Sequence, residues 1–259
     1  MPDVEEKLTV RIHDPDGTLC VLYSGHLRQD PDLLEKITER MKARYPQLTD
    51  ADSTVPGYVF YCRHYTWYNR YNQSGDGAPK DVHPSQLTTS TCPRISQRLP
   101  ELSKEAREKI EEYQNIIQDL EPLIEEVVRL LKQQLPTEYE IQAAYGKVLP
   151  LHGLPPGMVF TSLVVNVAVA TDGHRDSMDM DICVLAAIGD WEGGEIVFYE
   201  LGVVIDLKPG DICWFRSTDI THFNLHFKGL RASFVLTNDG AGRRWVENKN
   251  GWQPTGHVH

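Results

Sequence analysis

The sequence predicts an α+β protein that has a small β-barrel or jelly roll in its C-terminal half and helices flanking it. Two observations predict this class. From about residue 160 the chain consists of short β-prone segments separated by turn residues, a pattern typical of barrels and jelly rolls. Before that point, residues 102–135 carry apolar residues at steps of three and four, the period of an amphipathic helix.

Length and composition set limits on the kind of protein this is. A chain of 259 residues can bury a sizeable core. With 41% hydrophobic and 24% charged residues it is not an intrinsically disordered chain. A formal net charge of −11 excludes a histone-like or polybasic nucleic-acid binder. It does not exclude a nucleic-acid enzyme, because the local field at the site matters more than the total charge.

We divide the chain into three segments that together form one compact domain. Residues 1–100 are a mixed N-terminal extension expected to pack on the core, residues 101–154 are helical, and residues 155–259 form the β core with a C-terminal tail. Within the first segment, residues 58–68 predict a strand with one buried face. The alternative is a basic and aromatic surface on which bases stack. Residues 71–84 predict a long loop because they are rich in Pro, Gly, Ser and Asn.

The helical segment begins after Ser103, which is a suitable N-cap. Pro122 lies within the apolar pattern, so the segment is either one kinked helix or two helices that meet there. The apolar stripe predicts a packing face. Its members are Leu102, Ala106, Ile110, Tyr113, Ile117, Leu120, Ile124, Val127 and Leu131.

The strand-rich segment contains several β-branched or aromatic runs. Residues 190–194, 201–202 and 208–211 between them have turn composition. The predicted strands cover residues 161–169, 181–188, 195–200, 203–207, 212–215 and 232–237.

Cysteine usage and terminal composition bear on the compartment. The five cysteines form no Cys-x-x-Cys pair, which favours a reducing, intracellular compartment and argues against a cysteine-based zinc site. The first residues are acidic and lack the apolar region of a secretory peptide. No apolar run is long enough to span a bilayer, so we expect no membrane association.

A metal-binding constellation lies in the strand-rich segment. The triplet His174-Arg175-Asp176 follows the first strand, and His222 comes 48 residues later. Two imidazoles and one carboxylate on one face form the ligand set of non-haem Fe(II) oxygenases and leave coordination positions open. We therefore predict His174, Asp176 and His222 as the catalytic metal ligands.

A second pair of residues, Arg231 and Ser233, opens the last predicted strand. An arginine deep in a barrel can bind the distal carboxylate of 2-oxoglutarate with two hydrogen bonds. A serine two residues along the strand points the same way and can donate another. A single histidine is more often structural than a ligand, and we interpret His226 as structural. The remaining histidines lack a comparable setting: His13, His26, His64, His83, His152, His257 and His259.

These motifs resemble those of the double-stranded β-helix Fe(II)/2-oxoglutarate dioxygenases over residues 155–239. They include the H-x-D triplet, Gly193-Gly194-Glu195 before a strand, residues 208–211 (K-P-G-D) before another strand, the distal histidine and the R-x-S triplet. More narrowly, residues 173–179, 201–204 and 221–224 resemble the TET/JBP branch, especially its compact fungal members. The resemblance implies a double-stranded β-helix core and the cofactors Fe(II), 2-oxoglutarate and O2.

The resemblance also implies a substrate. Enzymes of this branch flip a base out of DNA and oxidise its methyl group. It implies conversion of 5-methylcytosine to 5-hydroxymethylcytosine and further oxidation products, with N6-methyladenine as a second candidate. Asp179, five residues after His174, matches the acidic residue that contacts the exocyclic amino group, although an ordinary loop carboxylate is the alternative. Gly173 would let the backbone approach the base.

The chain departs from the animal TET pattern in three respects. It has no cysteine-rich zinc region, no long insert between the metal ligands, and no arginine in residues 165–169, the stretch before the H-x-D triplet that would hold the proximal end of 2-oxoglutarate. Asn166 is our candidate for that proximal role.

The charge distribution suggests where DNA, or alternatively RNA, would bind. Residues 60–100 hold five Lys and Arg against two Asp and Glu, and residues 240–259 hold three against one, whereas the remaining segments are acidic. We therefore expect Arg243 and Arg244 to contact phosphates. No segment indicates an obligate protein partner. The implied DNA substrate favours a nuclear location for this intracellular protein. The sequence shows no clear polybasic import signal that would distinguish the nucleus from the cytosol.

Two other functions fit the same ligand set. One is a 2-oxoglutarate-dependent hydroxylase of a protein side chain or small molecule. The other is a non-enzymatic β-barrel module that has kept its metal ligands.

Overall fold

The computed structural model describes residues 9–70, 72, 74–75, 80–83, 99–149 and 156–256. The helices in order are α1 (Pro31–Arg44), α2 (Lys104–Glu108), α3 (Ile110–Gln134), α4 (Pro136–Gly146) and α5 (Arg243–Asn248). The strands are β1 (Thr9–His13), β2 (Leu19–Ser24), β3 (Tyr61–Tyr68), β4 (Glu101–Leu102), β5 (Ser162–Val167), β6 (Cys183–Gly193), β7 (Ile196–Phe198), β8 (Val203–Ile205), β9 (Ile212–Phe215), β10 (His222–Asn224) and β11 (Phe227–Thr237).

These strands form a major and a minor antiparallel sheet. The major sheet has eight strands in the order β1-β2-β9-β6-β11-β5-β3-β4, and the minor sheet has three in the order β10-β7-β8. Strands from both sheets line one cavity, so the sheets enclose it. This architecture confirms the predicted α+β class and jelly-roll core with flanking helices.

The major sheet is covered on both faces, as β6 shows. Val184, Ala186 and Ile188 pack in the cluster that contains α1 and α3, whereas Cys183 and Leu185 pack in the cluster that contains the minor sheet. Successive side chains of a strand point to opposite faces, so a strand covered on both sides reads as continuously apolar. For this reason β6 is buried from Cys183 through Gly189.

Helices α2 and α3 follow the predicted apolar stripe, but the break between them lies before Pro122, where the sequence predicts a kink or a junction. Ser103 caps α2, its hydroxyl accepting from the Ala106 amide at 3.2 Å. The break falls at Lys109, and α3 continues through Pro122 as one helix. Leu120, Leu123 and Ile124 around the proline are buried, so packing compensates for the hydrogen bond that proline cannot donate.

One predicted turn is wrong. Residues 190–194 were expected to separate two strands, but β6 runs to Gly193 and pairs with Phe227–Leu230 of β11. Within this stretch Gly193 has φ of +77°, and a β-carbon there would lie 2.5 Å from the His226 carbonyl oxygen. The turn-like composition therefore serves a close strand pairing rather than a reversal.

The N-terminal segment contributes strands to the major sheet: β2 pairs with β9, and β3 pairs with β5. The predicted strand at 58–68 is thus present as β3. Half of the predicted loop at 71–84 lies outside the described residues, and the three-segment division stays a prediction. Among the described residues, no helix has the length and apolarity to cross a bilayer.

Candidate active site

The three predicted metal ligands lie together at one side of the cavity. His174 and His222 pair through their backbones, each amide donating to the other carbonyl at 3.2 and 3.0 Å. Asp176 lies two residues after His174, and its position is fixed by its backbone amide, which donates to the Ser217 carbonyl at 3.0 Å. One candidate ligand atom from each residue lies within 4.8 Å of the others, a spacing that fits a single bound ion.

Backbone contacts also fix the tautomers of both imidazoles. Nδ1 of His174 lies 2.8 Å from the Asp172 carbonyl oxygen, and Nδ1 of His222 lies 3.1 Å from the Ile220 carbonyl oxygen. A carbonyl oxygen only accepts, so Nδ1 carries the proton in each neutral ring and Nε2 keeps its lone pair. Both Nε2 atoms face Asp176, at 4.0 Å from Oδ1 and 3.4 Å from Oδ2.

The third ligand, Asp176, carries a negative charge and is therefore suited to bind a cation. Burial raises the pKa of Asp176, whereas its contacts with His222 and His174 lower it and outweigh burial, so the pKa is lowered overall and the third ligand is a carboxylate. The ring of Phe215 packs edge-on against His222, with centroids 4.7 Å apart. The site therefore offers two neutral nitrogens and one carboxylate, the donor set that fits Fe(II) with open positions.

The cavity has a volume of about 400 Å³, within the range of small-molecule sites. Its floor consists of three cross-strand rows on β11, β5 and β3. In chain order along β11 the rows are Ser233–Asn166–Cys62, Val235–Val164–His64 and Thr237–Ser162–Thr66. Since alternate residues of a strand share a face, the strand register alone brings these side chains together.

One end of the cavity presents a buried cation. Arg231 is 3% exposed, and its Nε has no hydrogen-bond partner among the described residues. The rings of Trp191 and Phe227 lie 5.9 and 5.8 Å from its guanidinium carbon. Burial lowers the pKa of Arg231 to about 10, so it still carries its charge at neutral pH. A buried, unpaired guanidinium is costly, and a dicarboxylate such as 2-oxoglutarate would supply its missing partner.

Ser233 and Asn166 lie beside this cation. Both line the cavity in the first row, and Ser233 is 4% exposed. Their hydroxyl and amide groups are therefore placed to hydrogen-bond the same ligand. Which of its carboxylates Asn166 contacts stays a prediction.

The other end of the cavity is acidic and polar. Asp179 accepts a hydrogen bond from the Ser217 hydroxyl at 2.8 Å and pairs through its backbone with Asp239. Burial and the neighbouring Asp176 carboxylate raise the pKa of Asp179 to about 6, against hydrogen bonds from Ser217 and Thr237 that lower it. Asp239 accepts from Nε and Nη2 of Arg70 at 3.0 and 2.7 Å.

The remaining predicted substrate residues lie outside the cavity lining. Gly173 is exposed next to His174, and an added β-carbon would make only ordinary contacts with Thr221 and Phe223 at 3.4 and 3.6 Å. Arg243 and Arg244 are exposed on α5. Their expected roles toward base and phosphate stay predictions.

The contribution of β3 to the site could not be foreseen from motifs. Its even-numbered residues Cys62, His64, Thr66 and Tyr68 line the cavity, whereas Tyr65 and Trp67 are buried on the opposite face. His64 was interpreted as lacking a functional setting, yet it lines the same cavity as the triad. The alternation of aromatic and polar residues along the strand was the available signal.

Comparison with known proteins agrees with this geometry. Residues 92–235, more than half of the chain, match the Tet/JBP family model, described as the oxygenase domain of the 2OGFeDO superfamily. No curated protein sequence matches the chain.

Among solved structures, NgTET1 in complex with 5mC DNA superposes with a TM-score of 0.62 at 12% identity, covering 90% of this chain and 77% of the other. A 2OG-Fe(II) oxygenase-family oxidoreductase from Burkholderia pseudomallei gives a TM-score of 0.37 at 12% identity, covering 77% and 76%. A bsmA homologue from Methylobium petroleophilum gives 0.30 at 15% identity, covering 81% and 87%. The first of these similarities establishes the fold.

Proposed function

Because the chain belongs to the Tet/JBP oxygenase-domain family of the 2OGFeDO superfamily, we propose that it oxidises the methyl group of a base flipped out of DNA, with 5-methylcytosine as the substrate. Members of this superfamily use Fe(II), 2-oxoglutarate and O2. When bound, these cofactors supply the oxidising power that inserts oxygen into a C–H bond. The metal would be held by His174, Asp176 and His222, whose nitrogens and carboxylate converge.

The co-substrate and the base would occupy opposite ends of the cavity floor. Arg231 and Ser233 would bind the distal carboxylate of 2-oxoglutarate at the first row. This leaves the third row and the residues beyond it, Asp179 and Asp239, for the substrate. The metal ligands line the same cavity, so a methyl group entering from the substrate end can reach the reacting centre.

The placement of Asp179 in the cavity is the main observation that supports this proposal. Asp179 is a half-buried carboxylate at the substrate end, oriented by Ser217 and three residues beyond a metal ligand. A carboxylate that only accepts is complementary to an exocyclic amino group, which thymine and uracil lack. Arg70 lines the same end, where its Nε and Nη2 donate to Asp239.

NgTET1, which shares the fold, was solved with 5mC DNA, and this supports DNA as the partner. We place the phosphates on Arg243 and Arg244, which are exposed on α5. Unstacking a base costs a few kcal/mol, which contacts to the base and the backbone would supply. An enzyme acting on chromosomal DNA would work in the nucleus.

The test is mass spectrometry of nucleosides after the protein is incubated with Fe(II), 2-oxoglutarate and methylated oligonucleotides. The arms contain 5-methylcytosine in DNA, N6-methyladenine in DNA, and 5-methylcytosine in RNA. We expect 5-hydroxymethylcytosine from the first arm, and loss of this product in Asp179→Ala. Oxidised adenine would support the second candidate, since N6-methyladenine also offers an exocyclic N–H to Asp179.

The outcome that contradicts base oxidation is also measurable. If 2-oxoglutarate is converted to succinate while every base stays unmodified, the chain is an oxygenase, base oxidation is contradicted, and a protein side chain or a small molecule is favoured as the substrate. If neither changes, the chain is a non-enzymatic binding module.

A further inference from the structure

A closed ring of hydrogen bonds joins the two segments that carry the metal ligands. Glu200, in the turn between β7 and β8, accepts from the Thr221 amide at 2.7 Å and from the Thr221 hydroxyl at 2.6 Å. It also accepts from Nη2 of Arg175 at 2.6 Å. Nε of Arg175 donates to the Thr221 hydroxyl at 3.1 Å, which closes the ring.

Two members of this ring, Arg175 and Thr221, are chain neighbours of the three ligands. Arg175 lies between His174 and Asp176, and Thr221 directly precedes His222. The first two ligands lie in the connection between β5 and β6, which pairs with the rest of the described structure through two isolated β-bridges, His174 to His222 and Asp179 to Asp239. The ring therefore adds side-chain contacts that fix the H-x-D segment against the strand bearing the distal histidine.

The exposure of the ring indicates what it does. The side chains of Arg175 and Glu200 are 48% and 37% exposed, and exposed ion pairs add little to global stability. Outer contacts that orient metal ligands have a larger effect on the metal, commonly about 10- to 100-fold in affinity. A ring next to three ligands is thus better suited to setting ligand geometry than to holding the fold.

We propose that Arg175, Glu200 and Thr221 form a positioning network that sets the relative placement of His174, Asp176 and His222 and thereby the affinity of the site for a divalent metal. The inference concerns the metal site and does not depend on which substrate is oxidised. Failure of base oxidation would therefore leave it standing.

The experiment is isothermal titration of the full chain with Mn(II), combined with thermal unfolding of each variant. Glu200→Gln replaces one accepting oxygen by a donor and removes the charge, and we expect about 10- to 100-fold weaker Mn(II) binding. Glu39→Gln is the matched control, because it breaks an exposed Lys42–Glu39 pair on α1. The control should bind Mn(II) like the wild type and show the same small change in Tm.

A second pair of variants separates positioning from folding. Thr221→Val removes the hydroxyl and should weaken Mn(II) binding, whereas Thr221→Ser keeps the hydroxyl and should restore it. If Glu200→Gln does not fold, this pair of Thr221 variants still tests the positioning role of the network. Wild-type Mn(II) affinity in Thr221→Val, or equal losses in the valine and serine variants, would overturn the proposal.

Discussion

Gly194 packs directly against the side chain of Arg231. The glycine adopts φ of +71°, and a β-carbon built on it would lie 3.0 Å from Nε and 3.1 Å from Cδ of the arginine. Gly194 thus leaves the space in which the buried guanidinium lies. The Gly-Gly-Glu motif therefore contributes to the proposed 2-oxoglutarate site, because Gly194 has no side chain to occupy the space of the guanidinium.

Gly194→Ala should therefore impair 2-oxoglutarate binding. The alanine adds about 1–2 kcal/mol of left-handed backbone strain and pushes on Arg231. We expect at least a tenfold rise in the Kd for 2-oxoglutarate, measured by titration calorimetry with Mn(II) bound. Gly17→Ala has the same kind of backbone, at φ of +83°, with nothing within 4 Å, and should lose stability without changing the Kd. An unchanged Kd in Gly194→Ala would contradict the packing argument.

Removal of a metal ligand should abolish turnover while the fold survives. His174→Ala and Asp176→Ala each leave two ligands, so bound iron measured by plasma mass spectrometry and 2-oxoglutarate consumption should fall together. His226→Ala is the matched control, since Nδ1 of His226 lies 3.2 Å from the Ser53 hydroxyl and the residue does not line the cavity. Wild-type consumption in either ligand variant would refute the site.

Arg231→Ala should weaken 2-oxoglutarate binding without removing the metal. A buried hydrogen bond to a charged group is worth about 1.5–3 kcal/mol, so the Kd should rise about 10- to 100-fold. Circular dichroism should be unchanged, because the Nε of the guanidinium has no hydrogen-bond partner to lose in the described structure. Retention of both the Kd and the turnover would show that the dicarboxylate binds elsewhere.

Asp179 should make substrate affinity depend on pH. Its pKa of about 6 in the folded protein lies above the usual 3.8, so between about pH 4 and 6 the folded state binds more protons than the unfolded state. The free energy of unfolding therefore falls as pH rises through this window. Over the same window Asp179 ionises, and its carboxylate can then accept a hydrogen bond from an amino group. At pH 5 roughly one-tenth is ionised, and we expect methylated DNA to bind about tenfold more weakly than at pH 7.

Asp179→Asn supplies the comparison, because it keeps the shape and does not titrate. Dividing the affinity of the wild type by that of the Asp179→Asn variant isolates the contribution of this carboxylate from that of every other titrating group. Fluorescence anisotropy of a labelled oligonucleotide measures both proteins. A ratio that is constant from pH 5 to 7 would exclude Asp179 as the acceptor.

Charge reversal on α5 should reduce both DNA affinity and its salt dependence. Arg243→Glu/Arg244→Glu removes two predicted phosphate contacts, so the slope of log K against log salt should fall by about 2. Arg129→Glu/Lys132→Glu makes the same charge change on exposed positions of α3 and should leave the slope nearly unchanged. Equal slopes for the two double variants would place the phosphates elsewhere.

The strand-rich half and the metal triad could be predicted because their signals are local. β9 was predicted with its observed bounds, and His174, Asp176 and His222 were identified from motif order. The N-terminal contribution was harder, since α1 and α4 have short, weak patterns. Asp30 before Pro31 was a usable signal for α1, and its carboxylate accepts from the Leu33 amide at 3.0 Å.

The rows of the cavity floor depend on pairings between distant parts of the chain. Cys62, Asn166 and Ser233 are more than 60 residues apart in sequence and become neighbours through strand register. No periodicity within one segment reveals which residues of distant strands form such a row. The alternation along β3 distinguishes its two faces but does not indicate that the even-numbered face lines the cavity. His64 was therefore missed, although its strand was predicted.

Both ends of the cavity are built on the same three strands, β11, β5 and β3, and this limits how the protein could change its substrate. The two ends of the cavity use alternate residues of the same strands, so a one-residue slip of β11 would turn Ser233 and Thr237 away from the cavity together. An insertion within β11 would therefore disrupt the co-substrate end along with the substrate end. New specificities should arise by point substitution at the last row, or by changes in the connections beyond the strand ends, where Asp179, Asp239 and Arg70 lie. Those positions are where directed evolution of this scaffold should concentrate its diversity.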